Sequence, residues 1–457
     1  MSEQYGGAVR VHALLGEEQL YVSDPCTLHH IVVKEQHIYD ETDVFLMIND
    51  LIFSEGLIAT HGTQHKKQRK MLNPVFSFTN MRHLLSIIQS ITDQLLAVLL
   101  TELPPNGRKE INVIPWMSRT AMEYICQAGM GYTFNTLDDM RETVGTLDSI
   151  SKTIYAEKKA AVDGHAMKGA LEGEDLGLQM KGRDIISILL KTKLLRQMNT
   201  IIFAAFEMTT VAIACIFYIL VTCPDMQVHL RSELWVVKQV QAVVSECWED
   251  VMLPYDVLMG LPYLDTIMHE TFHVYLPTLL MSCIARQVMV LLLKQPVCSA
   301  SGEQISSIPL PEGTTVIVSI LAMNHNKEVW GEDTSAWHPE FWLTALEDED
   351  EVDATSGKGK IKYPGVYASM MTFLEGGRAC IGSSLMAIFT EQVIVTLVPA
   401  LSLELPSEAD ESGNVKEIYW KMNGLQVPVV RPPLGDDRMP QVPLMIRRVE
   451  EHDFLDD

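Results

Sequence analysis

The sequence predicts a mainly α-helical protein with a small β-rich region. Helix is indicated where apolar residues recur at spacings of three and four, because those positions share one helix face. Residues 65–73, 81–100 and 116–130 follow this pattern. Two short runs of strand-forming residues near the start of the chain, 9–15 and 18–22, indicate the β-rich part.

The first helix of this central pattern is predicted to begin near Cys26. Ser23, Asp24 and Pro25 precede it. An aspartate at this place accepts hydrogen bonds from the free N–H groups of the first turn, and proline is tolerated there. The chain is therefore expected to pass from a strand at 18–22 directly into helix.

Residues 199–223 form the most apolar window of the chain, and Pro224 ends it. The window is long enough to span a bilayer. A span would place Glu207 in the hydrocarbon at a cost of up to about 3 kcal/mol and would divide the chain into two halves. We therefore favour a buried central helix over a membrane span.

Later segments give shorter indications. Residues 305–320 are predicted to form strands, and residues 383–398 are predicted to form a helix. Residues 140–181 are polar and contain several glycines, which indicates a loop or lid region. Residues 408–457 are rich in proline and acidic side chains, so we expect a loosely packed tail.

Composition excludes several function classes. The chain has 35 basic and 59 acidic residues, and this net charge of −24 argues against nucleic-acid binding. A hydrophobic content of 47% excludes disorder. The eight cysteines form no C-x-x-C pair, which argues against a disulfide framework and indicates a reducing compartment. No secretory signal opens the sequence, so we expect an intracellular chain that lacks a membrane anchor.

One motif is far more specific than the rest. Residues 373–382 fit the pattern F-x-x-G-x-R-x-C-x-G at every fixed position. Multiplied residue frequencies give about 6 × 10⁻⁵ expected chance matches in a chain of this length. The motif directly precedes the helix predicted at 383–398, so its cysteine lies at a helix N-terminus.

Each fixed residue suits a loop that lies against an iron porphyrin. The helix N-terminus is expected to lower the pKa of Cys380 and hold it as the thiolate that binds iron. A thiolate ligand favours O–O bond cleavage. Gly376 and Gly382 are expected to let the backbone approach a flat macrocycle, and Arg378 to pair with a propionate. Phe373 begins the motif.

The motif and four further segments resemble the cytochrome P450 family, in particular its fungal members. The segments are residues 21–25, 65–76, 261–271 and 311–333. The resemblance implies a heme-thiolate monooxygenase of secondary metabolism, with heme b as its cofactor and dioxygen and a small apolar molecule as its substrates. It also implies electrons from NADPH through a reductase, a place at the endoplasmic reticulum membrane, and contact of Arg69 and His65 with the heme propionates.

The sequence departs from the family in its central helix. The family has an acidic residue followed by threonine there, and the pair delivers protons to bound dioxygen. Glu207 keeps the acid, but Met208 stands where the hydroxyl is expected. Thr209 substitutes only if the helix is locally distorted, as by a π-bulge. We expect Glu207 and Thr209 to handle protons, with oxygen activation impaired or uncoupled.

Three arginines of the family are also replaced. The E-x-x-R motif appears as Glu270 and His273, Phe341 stands at a second arginine position, and Cys283 stands at a third, near the propionates. Arg286 follows three residues later. Because an unpartnered buried carboxylate is costly, we expect Glu270 to be protonated, paired with His273 or solvated. Glu270 is still expected to organise the structure behind the cysteine loop.

A competing motif, H-E-x-x-H, is formed by His269, Glu270 and His273. In zinc peptidases two such histidines bind the metal and the glutamate activates water. Its chance expectation is about 0.06, roughly a thousand times that of the cysteine motif. No glutamate between residues 274 and 302 supplies a third ligand. A zinc metallopeptidase is therefore kept only as a remote alternative.

Together these observations predict a single domain over residues 1–457, with a shortened lid at 140–181 and no N-terminal anchor. Heme is expected to lie between the 199–223 helix and the Cys380 loop. The predicted function is heme-thiolate monooxygenation. The alternative is a catalytically impaired descendant of that family, which binds heme weakly or not at all.

Overall fold

The structure is a computed structural model that describes most of the chain. The described residues are 2–13, 16–105, 107–129, 133, 196–245, 252–299, 301–347, 370–407, 413–423 and 425–450. The lid region predicted at 140–181 lies outside them. The described helices are α1 (Ser2–Tyr5), α2 (Pro25–His29), α3 (Asp43–Phe53), α4 (Gly62–Leu72), α5 (Phe78–Glu102), α6 (Ile114–Glu123), α7 (Arg196–Thr222), α8 (Pro224–Ser245), α9 (Tyr255–Leu258), α10 (Pro262–Val274), α11 (Ile320–Asn324), α12 (Lys327–Trp330), α13 (Glu340–Glu347) and α14 (Ser383–Leu397).

Twelve strands in the described part of the chain form four small sheets. The strands are β1 (Ala8–His12), β2 (Glu18–Val22), β3 (Tyr39–Glu41), β4 (Lys109–Asn112), β5 (Leu280–Ala285), β6 (Met289–Cys298), β7 (Gln304–Leu310), β8 (Thr315–Ser319), β9 (Leu401–Glu404), β10 (Ile418–Asn423), β11 (Leu425–Val430) and β12 (Pro443–Arg448). The largest sheet has the order β1-β2-β8-β5-β3, in which only β2 and β8 are parallel. The predicted class, mainly helical with a small β-rich region, is confirmed.

The helices and the largest sheet have separate hydrophobic cores. The larger core is formed chiefly by the long helices α5, α7, α10 and α14. The smaller core joins the five-stranded sheet to α2 and includes Val22, Leu28 and Val318, none of which is exposed. The cysteine loop lies where the two cores meet, because Phe373 packs in the larger core and Met371 in the smaller one.

Helix α7 occupies the centre of the larger core. It packs against α6, α10 and α14, and Ile213, Ala214, Ile216 and Leu220 on it are fully buried. By length and composition alone, α5 and the 197–222 part of α7 would each be able to cross a membrane. The predicted buried central helix is confirmed, because most of this apolar part of α7 is buried inside the molecule.

Local signals set the start of the chain as predicted. The Asp24 side chain accepts a hydrogen bond of 2.9 Å from the Thr27 backbone N–H and so caps α2, in which Pro25 occupies the first turn. The same carboxylate accepts a bond of 2.8 Å from the Lys294 N–H, which ties α2 to β6. The helix predicted at 116–130 is α-helical only to Glu123 and continues as a π-helix over Tyr124–Gly129.

The prediction of a loosely packed C-terminal tail is wrong. Strand β12 is the central strand of a three-stranded sheet and pairs with β4 and β9. Its residues Leu444 and Ile446 are almost fully buried. The high proline and acidic content of the whole segment therefore concealed a short buried strand.

Candidate active site

The cysteine loop is a tight turn closed by its own backbone. Cys380 lies between a 3₁₀-helix at Gly376–Arg378 and α14, for which Gly382 is the N-cap residue. The Cys380 N–H donates a hydrogen bond of 2.8 Å to the Phe373 carbonyl oxygen. The backbone N–H groups of Gly382 and Ser383 act on the thiol as hydrogen-bond donors. The predicted geometry, a cysteine at a helix N-terminus with N–H groups around its sulfur, is present.

The predicted lowering of the thiol pKa is wrong for the protein alone. Burial raises the pKa of Cys380, and this influence exceeds the lowering by the Gly382 and Ser383 N–H groups and by Arg69. Cys380 is nevertheless exposed, so its side chain is accessible to a ligand. A bound metal cation deprotonates such a thiol outright, so the thiolate requires the metal.

The two glycines of the motif have different roles. Gly376 has a φ of +73°, and a Cβ there would lie 2.5 Å from the Val32 carbonyl oxygen. Its glycine therefore lets the loop pack on the π-helix at His30–Lys34, which corrects the expectation that Gly376 faces a macrocycle. The Cβ of a residue at position 382 would meet no atom within 4 Å. Gly382 thus presents open space on the side where a flat group would approach.

The loop is fixed to neighbouring elements at both ends. Phe373 is buried and packs edge-on against Phe272 of α10, with 5.4 Å between the ring centroids. The Gly377 N–H donates a hydrogen bond of 2.7 Å to the Gln36 side-chain oxygen. These contacts hold the backbone on both sides of Cys380 in place.

Three basic side chains predicted to bind propionates come together beside the loop. Arg69 of α4 donates a hydrogen bond to the Ala379 carbonyl oxygen, and Arg378 donates one of 3.2 Å to the Thr60 carbonyl oxygen. Burial and the charges of Arg378 and Arg69 lower the pKa of His65 to about 3. Burial also lowers the pKa of Arg69. His65 is therefore neutral near pH 7, and because the charges of Arg69 and Arg378 repel each other, the cluster favours an anionic ligand.

Acidic residues contact Arg378 from its other side. Its guanidinium lies 3.8 Å from an Asp40 oxygen and 3.8 Å from a Glu41 oxygen. Cys283, at the position where the resemblance leads us to expect an arginine, lines a cleft together with Asp40, Glu41 and Arg378. Arg286 lies 2.6 Å from Asp43, so it is engaged with the acidic segment. No motif in the sequence pointed to Asp40 and Glu41 as partners of Arg378.

The structure does not bring Glu207 and Thr209 together. The described helix α7 is α-helical throughout Arg196–Thr222, without the π-bulge that Thr209 required. Residues two positions apart in an α-helix point to nearly opposite sides of the helix. Accordingly Glu207 is exposed whereas Thr209 is buried. Met208 lies between these faces and packs at the edge of the larger core.

Glu270 is buried and fully supplied with partners despite the missing arginines. One carboxylate oxygen accepts a hydrogen bond of 2.7 Å from the His338 backbone N–H. The other accepts one of 2.8 Å from the Trp342 indole N–H and lies 3.3 Å from His273 Nδ1. The 3.3 Å contact places Glu270 beside His273, as the expected pairing requires. Sequence reasoning missed Trp342, although it is adjacent to Phe341, where the second arginine was sought.

His273 joins Glu270 to a neighbouring helix. Its Nε2 faces the Asn324 carbonyl oxygen at the end of α11, so that nitrogen carries a hydrogen. Its Nδ1 faces the Glu270 oxygen at 3.3 Å but makes no hydrogen bond of good geometry. His273 therefore links α10 to α11 through one hydrogen bond.

The zinc alternative is overturned by the same contacts. His273 Nε2 donates to a carbonyl oxygen, and both Glu270 oxygens accept hydrogen bonds. His269 Nδ1 lies 2.8 Å from the Asp265 carbonyl oxygen. Within the described ranges, no group of three histidine, cysteine or acidic side chains is arranged to hold a metal ion.

The residues beside the cysteine loop fit an iron porphyrin. The Cys380 sulfur is accessible, the backbone at Gly382 is open on one side, and Arg69 and His65 have no carboxylate partner among the described residues. A thiolate suits iron, the Arg69 and Arg378 guanidinium groups suit two carboxylates, and a neutral His65 can still donate a hydrogen bond to one of them.

Comparison with known proteins gives one family. The sequence model described as Cytochrome P450 matches residues 1–161 and 140–428. Cytochrome P450 monooxygenase 91 of Postia placenta is 32% identical, over 98% of this chain and 89% of the relative. Cytochrome P450 monooxygenase 219 of the same fungus is 31% identical, over 97% and 87%. A ganoderic acid synthetase of Ganoderma lucidum is 29% identical, over 94% and 86%.

Proposed function

The chain belongs to the cytochrome P450 family of heme-dependent monooxygenases, and we propose that it inserts one atom of dioxygen into a small apolar organic substrate with Cys380 as the iron ligand. The observation that carries this proposal is the Cys380 loop, in which an accessible sulfur lies just before the start of α14. The relatives are named as monooxygenases, which supports the reaction type.

The residues around the loop divide the work of holding the cofactor. Cys380 would bind the iron, while Arg69, His65 and Arg378 would bind the two propionates. Phe373 and Gly376 would hold the loop against α10 and the π-helix. When bound through a thiolate, heme supplies the activation of dioxygen. The charges of two propionates would also offset the mutual repulsion of Arg69 and Arg378.

Proton delivery is where this chain differs from its family. Glu207 is exposed on α7 and is the acidic group available on this helix for moving protons. Met208 carries no hydroxyl, and Thr209 faces the core. We propose that oxygen use is partly uncoupled from substrate oxidation, so that hydrogen peroxide is released. The absence of a hydroxyl beside the exposed Glu207 is the observation that favours the second candidate, a catalytically impaired family member.

The Met208→Thr variant tests this difference. It restores a hydroxyl next to Glu207, and we expect hydrogen peroxide formed per NADPH consumed to fall severalfold, about two- to tenfold. The matched control is Thr209→Val, which removes a buried hydroxyl and should leave the ratio unchanged. Tight coupling in the unmutated protein would contradict the proposal.

The exposed face of α7 supports the proposal that the substrate is apolar. Phe203 and Ala204 are exposed one turn before Glu207 and lie on the same side of the helix. An apolar surface beside a proton-handling acid suits an apolar molecule. One relative is named a ganoderic acid synthetase, and we propose a similar place in fungal secondary metabolism.

The electron donor and location are proposed from the family. We propose an NADPH-dependent reductase as the partner and the surface of the endoplasmic reticulum membrane as the location. Mixing the protein with a purified reductase and following heme reduction under carbon monoxide tests the first proposal. Fractionation of a fungal cell lysate tests the second.

The decisive experiment is reconstitution with heme. The ferrous protein is exposed to carbon monoxide, and we expect the long-wavelength absorption band that thiolate ligation produces. Its absence in a protein that has taken up heme would refute Cys380 as the ligand. The band without any product from apolar test substrates would favour the impaired family member.

A further inference from the structure

We propose that Asp40 and Glu41 act as positioning residues that hold Arg378 away from the heme propionates. Retention of heme would then depend on a competition between two sets of carboxylates for one guanidinium. This inference rests on the proposed function, because it concerns how tightly this chain keeps its cofactor.

The contacts of Arg378 carry the argument. Its Nη1 donates to the Thr60 carbonyl oxygen at 3.2 Å. Its Nη2 lies 3.8 Å from Asp40, and its Nε lies 3.8 Å from Glu41. The two ion-pair distances exceed a hydrogen bond, so the guanidinium is attracted to the acids without being locked to them. A side chain held in this way can be drawn toward a stronger anion.

The acidic side of the competition is partly desolvated. The side chains of Asp40 and Glu41 are 18% and 13% exposed, so water screens their charges only weakly. Burial raises the pKa of Glu41, whereas Arg378 lowers it. The carboxylate therefore gains from keeping its cation, and moving Arg378 to a propionate leaves that carboxylate poorly compensated.

The neighbouring cations replace Arg378 only in part. Arg286 is 4.0 Å from Asp40 but is more closely engaged with Asp43 at 2.6 Å. His61 is 3.2 Å from Asp40 and is itself largely exposed. Cys283, which lines the same cleft, brings no charge where the family has an arginine. Glu41 therefore has Arg378 as its closest side-chain cation in the described part of the chain.

The opposite side of Arg378 is the cluster with His65 and Arg69. Arg378 lowers the pKa of both groups, so its charge already reaches the place where propionates are proposed to bind. Removing a negative charge at position 41 strengthens propionate binding by releasing Arg378. Asp40 and Glu41 thus draw Arg378 away from the propionate site, whereas bound propionates would draw it toward that site.

The test compares heme release from matched variants. Heme-loaded protein is mixed with excess apomyoglobin, and the transfer is followed by absorbance. We expect Glu41→Gln and Asp40→Asn to release heme about three- to tenfold more slowly than the unmutated protein. Asp43→Asn is the control, because it removes a charge from the same segment that contacts Arg286 rather than Arg378.

Heme dimethyl ester separates competition from a structural effect. Its carboxylates are blocked, so the variants should release this ligand at the same rate as the unmutated protein. Slower release of the ester as well, an equal effect of Asp43→Asn, or unchanged or faster release of heme would each overturn the inference. Failure of the unmutated protein to take up heme would instead refute the proposed function on which the inference rests.

Discussion

The Cys380 loop and the Glu270 cluster respond differently to the loss of family residues. The loop keeps every fixed residue of its motif. The cluster lacks the two arginines that the resemblance leads us to expect, yet Glu270 has the His338 N–H, the Trp342 indole and His273 around it. Iron binding depends on one particular ligand atom at one position. A buried carboxylate needs only enough hydrogen-bond donors, whichever residues supply them.

The difference predicts which measurement each region controls. Substitutions in the loop should change the spectrum of the heme-loaded protein and leave the fold intact. Substitutions in the cluster should change the free energy of unfolding and leave the type of iron ligation unchanged. The variants below are ordered by the expected size of the effect.

The largest effect is expected for Cys380→Ser. Serine oxygen accepts hydrogen bonds from the Gly382 and Ser383 N–H groups as the sulfur does, so the loop should keep its shape. The free energy of unfolding of the heme-free protein should change by less than about 0.5 kcal/mol. The thiolate band of the ferrous carbon-monoxide complex should vanish. A band that survives, or a variant that unfolds, contradicts the separation of the two regions.

Trp342→Phe should lower the free energy of unfolding and leave the type of iron ligation unchanged. It removes the indole N–H that donates to Glu270 at 2.8 Å and leaves that buried carboxylate oxygen short of a donor. We expect a loss of about 1–3 kcal/mol in the free energy of unfolding, measured with denaturant. The thiolate band should keep its position in the protein that remains folded.

A second tryptophan provides the matched control for this variant. The Trp337 indole N–H is buried and has no hydrogen-bond partner among the described residues. Trp337→Phe loses a similar ring and an N–H without breaking a bond, so it should cost clearly less than Trp342→Phe. Equal losses would mean that packing of the indole, and not the bond to Glu270, stabilises the cluster.

Local sequence signals predicted the elements that local forces determine. Strand β2 and the Asp24 cap depend on neighbouring residues, and both were found as predicted. Strand β12 was missed because its partners β4 and β9 come from distant parts of the chain. A composition signal over a whole segment contains no information about such pairing.

The same limit applies to the candidate site. The motif placed Cys380 and Gly382 correctly at the start of α14, because spacing along one turn is a local property. The contacts of Arg378 with Asp40 and Glu41, and of Glu270 with Trp342, join segments far apart in the chain. The raised pKa of Cys380 was missed because burial is a property of the folded molecule.

Glu391 is a buried carboxyl that sharpens the comparison with Glu270. It is 3% exposed, as Glu270 is, but its Oε2 has no hydrogen-bond partner among the described residues. Burial raises the pKa of Glu391 well above its ordinary value of 4.5, and Asp265 adds to this. A buried carboxyl group with hydrogen-bond donors around it forms stabilising contacts, whereas burial without such donors favours the protonated form.

The smallest effect is expected for Glu391→Gln and depends on pH. The folded protein holds the Glu391 proton at pH values where the unfolded chain has lost it, so stability falls as pH rises above about 4.5. Glutamine removes this fall. We expect the free energy of unfolding of the variant to rise relative to that of the unmutated protein as the pH increases above about 4.5. Exposed Glu312→Gln is the control and should give parallel curves. Parallel curves for Glu391→Gln as well would show that this carboxyl finds partners as effectively as Glu270 does.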